Sequence, residues 1–88
     1  EVEIEEQIDG SLLVDGLLPI DVVKDKLNVE YLPEEFKAGY QTLSGFVMNQ
    51  MGKIPRVGQG FEWEGFTFKV VEMDGHRVER VQISKTSG

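Results

Sequence analysis

The sequence predicts an α+β fold in which two short helices pack on mainly antiparallel strands, and three observations carry that expectation. The segment after Gly60 alternates aromatic and polar residues around two X-Gly pairs, Glu64-Gly65 and Asp74-Gly75, the pattern of a three-stranded meander. Ahead of it, Thr42 to Gly52 reads as a capped amphipathic helix. At the other end, Asp9-Gly10 separates two apolar stretches as a hairpin turn does.

Taken in order, the acidic start Glu1, Glu3, Glu5 and Glu6 reads as a solvated or frayed beginning, and Ile4 and Ile8 mark a first strand. A two-residue turn at Asp9-Gly10 would set Ile8 opposite Ser11 and scatter the apolar residues over both faces. A three-residue turn, Asp9-Gly10-Ser11, pairs Ile8 with Leu12 and gathers Ile4, Ile8, Leu12 and Val14 on one face, so it is the preferred register. Pro19 suits a first helical turn, and Ile20, Val23 and Leu27 follow at i, i+3 and i+7, with Asp21 near the positive end of the dipole. From Asn28 to Tyr40, with Pro33, Glu34-Glu35 and Gly39, an irregular connection is expected, anchored by Tyr31, Leu32 and Phe36. The second helix starts at Thr42 as N-cap, carries Leu43, Phe46, Val47 and Met51 on one stripe, and stops at Gly52, with Pro55 forbidding continuation.

The meander fixes a register. Glu64-Gly65 sets Trp63 opposite Phe66 and Phe61 opposite Phe68; Asp74-Gly75 sets Phe68 opposite Val81 and Phe66 opposite Ile83. All six then share one face, which is expected to pack on the Leu43, Phe46, Val47 stripe. The same register sends Val71, Met73 and Val78 to the opposite face. A bulge that swaps faces, a strong twist that carries the hairpin tip over another element, or a contact surface for another chain or domain each account for this. The last makes Val71, Met73 and Val78 the candidate interaction surface, including for self-association along the hairpin edge.

Composition narrows the function. The 88 residues allow one domain, 1–88, which buries only about 60 to 65% of its unfolded surface. Sixteen acids against nine bases give a net charge of −7, which disfavours nucleic acid and anionic lipid as partners. No run approaches the roughly 18 apolar residues of a membrane helix, so direct membrane insertion is not expected. The absence of cysteine removes disulfides and thiolate metal sites. The chain starts at Glu1 without an initiator Met or a leader, and is expected to be a fragment of a longer protein.

No catalytic set emerges. His76 follows a turn, with Asp74 nearby as a conceivable acid–base partner, but Ser11, Ser44, Ser84 and Ser87 lack a nucleophile-elbow context. Glu62 and Glu64 form a solvated face, and Asp9, Asp15 and Asp74 belong to turns without the alternating ligands of a calcium loop, so no metal site is expected. Gly58, Gly60 and Gly65 precede a strand where a phosphate loop would precede a helix. Trp63, beside Phe66, is read as core and not as a stacking platform.

The TLxGxV helix at Thr42–Val47 and its GxIPxxG ending at Gly52–Gly58 resemble the transporter-associated domain of the CorC/HlyC family. Asp9 to Val23 and Phe66 to Ile83 match the family pattern in order and spacing, so the resemblance covers roughly the whole chain. Ser44, Asn49 and the short Thr86-Ser87-Gly88 tail are small departures. The resemblance implies a sandwich of five strands and two helices, grouped with a subdomain of flavin-binding oxidoreductases. It implies a non-catalytic regulatory or assembly domain on the cytoplasmic side of the inner membrane. This domain would follow a membrane module and paired CBS domains in a magnesium/cobalt-type efflux or haemolysin-like protein. Those domains of the same chain are the implied partners, and a second copy in a homodimer is a further candidate partner. FAD or an adenine nucleotide is the alternative, as a cofactor the fold relationship would allow.

Overall fold

The structure, a computed structural model, describes residues 4–86; Glu1, Val2, Glu3, Ser87 and Gly88 lie outside the described residues. The elements are β1 (Ile4–Glu6), β2 (Leu12–Asp15), α1 (Ile20–Leu27), α2 (Glu35–Ala38), α3 (Leu43–Met51), β3 (Gly60–Trp63), β4 (Phe66–Asp74) and β5 (Arg77–Lys85). All five strands join one antiparallel sheet in the order β1-β2-β5-β4-β3. The fold is the expected α+β sandwich, with the single-turn α2 added in the connection between the two main helices.

In the first hairpin Ile4 pairs with Val14 and Glu6 with Leu12. The turn is three residues long as expected but lies one residue earlier, over Ile8-Asp9-Gly10, which corrects the pairing of Ile8 with Leu12. Gly10 supplies the left-handed residue at φ +90°, and its N–H donates to the Gln7 carbonyl at 3.0 Å. Asp9 Oδ1 accepts from the Ser11 amide at 2.9 Å and from its hydroxyl at 2.6 Å, which holds the turn in this place. The two registers differ by two residues in total, an even slip, so Ile4, Leu12 and Val14 keep the face expected of them. Ile8 instead stands fully exposed at the tip.

Helix α1 begins after Pro19 and buries Ile20, Val23 and Leu27, as their spacing predicts. Helix α3 is capped by Thr42, whose hydroxyl accepts from the Gly45 amide at 3.2 Å, and ends on Gly52 at φ +70°. Its buried residues include Leu43, Phe46 and Val47, each in the expected stripe. In the connection only part of the expected anchoring holds. Leu32 is buried, but Tyr31 and Phe36 are 56% and 78% exposed and lie edge-on to each other at 5.6 Å. The half-buried Tyr40 is the anchor, set against Phe46 at 5.4 Å with its hydroxyl donating to the Pro33 carbonyl.

In the meander Trp63 pairs with Phe66 and Phe61 with Phe68, as expected. Glu64 and Gly65 both take positive φ, the requirement of a type I′ turn. The second turn is corrected by one position: Asp74 pairs with Arg77, leaving Gly75-His76 at the tip with Gly75 at φ +62°. Phe68 therefore faces Ile83, and Phe66 faces Lys85.

The expected anomaly at Val71, Met73 and Val78 is resolved by bulges that swap the faces. Val70 pairs with Val81, Glu72 with Arg80, and Met73 with Val78, so Val71 on β4 and Glu79 on β5 are each left over. Beyond these two residues the alternation is inverted, and Met73 and Val78 turn to the core face. Val78 is 1% exposed and Met73 packs partly buried against the core. The opposite-face placement of Met73 and Val78 is thus overturned, because burying two apolar side chains outweighs a locally broken ladder.

One cluster unites the molecule: Val14 of β2, Phe68 and Val70 of β4, and Val78, Val81 and Ile83 of β5 meet the buried stripes of α1 and α3. At its centre Phe46 lies edge-on to Phe61 at 5.6 Å, Trp63 at 6.2 Å and Phe68 at 5.5 Å, while Phe61 and Phe68 stack at 4.9 Å.

Candidate interaction surface

The side chains that could carry chemistry are dispersed, and several of them are engaged in turns and ion pairs. His76 sits exposed at the tip of the β4–β5 hairpin. Its neighbour Asp74 is bonded instead to Arg77 at 3.1 Å, and Arg77 also reaches Glu79 at 3.0 Å. Ser11 is buried, its hydroxyl donating to Asp9 and accepting from Gln82 at 3.3 Å. The bond from the Ser11 hydroxyl, then that from the Ser11 amide, hold the Asp9 carboxyl below its ordinary range. Glu62 and Glu64 are exposed, and among the described residues no three His, Asp or Glu side chains converge as a metal-binding group. Trp63 contributes to the aromatic core, as its position beside Phe66 predicts.

At the start of α3 the backbone donors that an anion would use are also engaged. At α3 the Leu43 amide donates to the Leu18 carbonyl at 2.9 Å, and the Ser44 amide to the Gly16 carbonyl at 2.8 Å. With the Thr42 cap, the first turn is satisfied by protein acceptors. In the glycine stretch the Gly58 amide donates to the Val70 carbonyl at 2.7 Å. Gly60 lies so close to β4 that a Cβ there would come within 1.9 Å of the Phe68 carbonyl oxygen. Gly60 thus serves a close strand approach, while Gly58 supplies a left-handed backbone at φ +96° with open space around it.

Sequence reasoning missed the ion pair that fastens α1 to α2. Lys24 Nζ lies 2.7 Å from Glu35 Oε2, with the Glu35 side chain only 9% exposed, and 3.5 Å from Asp21 Oδ1. The Glu35 carboxylate also accepts from the Leu32 amide at 3.1 Å. The lysine bond, then that amide, hold the Glu35 carboxyl below its ordinary range against the opposing effect of burial, while Glu35 raises Lys24 in return. Burial, with Glu35 and Glu34 nearby, pushes Tyr40 up to about 12. The signal lay in one acidic pair within a loop, where nothing in the spacing singles out Glu35 over Glu34.

What the surface does offer is apolar. Ile8, Leu17, Tyr31, Phe36, Ile54 and Val57 are exposed, on the first hairpin tip and the connections around the helices. Of the residues expected to form a contact patch, Val71 is half-buried at its bulge, Met73 packs on the core and Val78 is buried.

A small antiparallel sheet closed on one face by two helices defines the class as a two-layer α+β domain. The particular family is shown by comparison. The family model CorC_HlyC, described as the transporter associated domain, matches residues 5–87, and the chain belongs to that family. The UPF0053 protein sll0260 of Synechocystis sp. is 42% identical over 97% of this chain and 19% of its own length. The polyamine export protein of Salmonella typhimurium is 34% identical over 93% of this chain, again 19% of its own length. Among solved structures, the CorC_HlyC domain of a Xylella fastidiosa Temecula1 hemolysin, in complex with Mg++ and Mn++, superimposes with a TM-score of 0.82 at 32% identity. That likeness covers 96% of this chain and 98% of the other. The chain therefore spans about a fifth of the length of the curated relatives it matches.

Proposed function

We propose that this domain is a non-catalytic regulatory or assembly element of a membrane cation-efflux transporter, modulating transport through contacts with other domains or subunits. The observation that carries the reading is its family membership together with relatives about five times its length, one of them a polyamine export protein. Engagement of the polar groups in caps, turns and ion pairs supports a role played by surfaces. The membrane-spanning and CBS domains of a longer chain are its partners, and it lies on the cytoplasmic side of the inner membrane. The cargo is a cation of the magnesium/cobalt type or, following the Salmonella relative, a polyamine. Both are cations, and the cargo is handled by the membrane part.

The test is removal of this domain from the full-length transporter, followed by efflux and oligomeric-state measurements. The membrane part is expected to remain folded while transport or assembly changes; no change in either defeats the reading. Binding of FAD or an adenine nucleotide is the alternative, resting on the fold relationship alone. Calorimetry with FAD and with adenine nucleotides at high protein concentration decides it, absence of heat with all of them eliminating the alternative.

A further inference from the structure

A groove of about 140 Å³ opens where the end of α1 meets the first hairpin and the far end of β5. Its floor is apolar, made by Leu12, Leu27, Phe66 and Ile83, and its rim carries Lys26 and Lys85. Neither lysine takes part in an ion pair among the described residues, although the chain carries a net charge of −7. Gly10 also lines the groove, and two residues away on the same turn stands Ile8, fully exposed.

The turn itself gives Ile8 no local role. Asp9 and Gly10 supply the turn chemistry, and a polar residue at position 8 would satisfy the backbone equally well. On either side of Ile8 the hairpin carries exposed acids, Glu5, Glu6 and Asp9. An aliphatic knob with an acidic collar thus sits beside an apolar hole with a basic rim, on one patch of one molecule. A two-fold dimer requires this juxtaposition, because the same patch must supply both halves of every contact.

We infer that the hairpin tip and the groove form a self-complementary dimer contact, in which Ile8 of each copy enters the groove of the other while Glu6 and Asp9 meet Lys26 and Lys85. The occupant of the groove is a second copy of this chain. The contact deepens the assembly role proposed above and rests on it for its place in the transporter. It differs from the surface expected at Val71, Met73 and Val78. Its small extent makes it weak for the isolated domain and effective when other parts of a longer chain hold two copies close.

The experiment is an NMR concentration series with sedimentation velocity on the 88-residue chain up to about 1 mM, at low and high salt. Domains of this size in this family are solved as separate chains, so the chain is suited to study alone. A monomer–dimer equilibrium is expected, weakened by salt, with shifts at Ile8, Leu12, Phe66 and Lys85. Ile8→Asp, which removes no intramolecular packing, should weaken dimerisation by about tenfold or more. Lys85→Glu should weaken it too, and Glu6→Lys placed in the same chain should restore it. A monomer at every concentration, or an Ile8→Asp variant that dimerises like the parent, overturns the inference. Either result leaves the regulatory reading standing, because that is judged by removing the domain from the transporter.

Discussion

At the scale of single residues, size and aromaticity do not predict importance; position against the sheet does. Phe46 and Phe36 both lie on helices, yet Phe46 touches four aromatic rings while Phe36 is left 78% exposed beside Tyr31. Phe46→Ala should therefore cost about 3 to 5 kcal/mol in a urea titration, and Phe36→Ala within about 0.5 kcal/mol of nothing. The difference was partly legible in the sequence. Phe46 belongs to a stripe with Leu43 and Val47 on a helix with a cap and a stop, and that periodicity is read directly. Phe36 lies in a stretch with no period, where an aromatic residue alone suggested an anchor that Tyr40 in fact provides.

At the scale of elements, the helices and strands were legible because each announces its ends, whereas the joins were not. Asp9-Gly10, Glu64-Gly65 and Asp74-Gly75 look alike in sequence, yet the glycine is third in a three-residue loop, second in a two-residue turn, and first in a two-residue turn. A glycine meets the positive-φ demand in each case, so the dipeptide marks a turn without fixing its register. Away from the β4–β5 bulges, strand faces survived because the two displaced turns shifted pairing by an even step. The clasp between Lys24 and Glu35 was equally hidden, since it joins residues across an irregular connection. Glu35 has a lowered folded pKa, so the unfolded state binds the proton more readily and stability rises with pH through that range. The contribution is present above the ordinary carboxyl range, about pH 4.3, and is lost as pH falls through the folded value. The stability gap between the wild type and Glu35→Gln should accordingly be constant near neutrality and narrow as the solution is acidified below about pH 4.5, which chemical denaturation at several pH values would reveal. A gap independent of pH would show that the carboxylate charge plays no part.

At the scale of the whole molecule, the family and its scaffold were written in caps, turns and core spacing, which is why they could be read; the surfaces were not. The candidate patch at Val71, Met73 and Val78 followed from treating β4 and β5 as an unbroken ladder. Bulges leave no strong mark in sequence, because their determinant is the packing of Met73 and Val78 on distant partners. Ile8, by contrast, was expected to be paired inside a sheet and emerged at its tip.

The two bulges also have a meaning for chain length. The residues on either side of them, Val70 with Val81 and Met73 with Val78, keep the same pairing frame, since one extra residue on β4 is cancelled by one extra on β5. They behave as a compensated pair of single-residue insertions. Deleting Val71 alone or Glu79 alone should throw the frame out and expose Met73 or Val78, whereas deleting both leaves an unbroken hairpin with every side chain on its present face. The double deletion should melt above either single deletion, even though it removes twice as many residues and the carbonyl of Glu79 that receives the Gly16 amide. Hairpins of this kind can gain or lose length only in steps that span both strands.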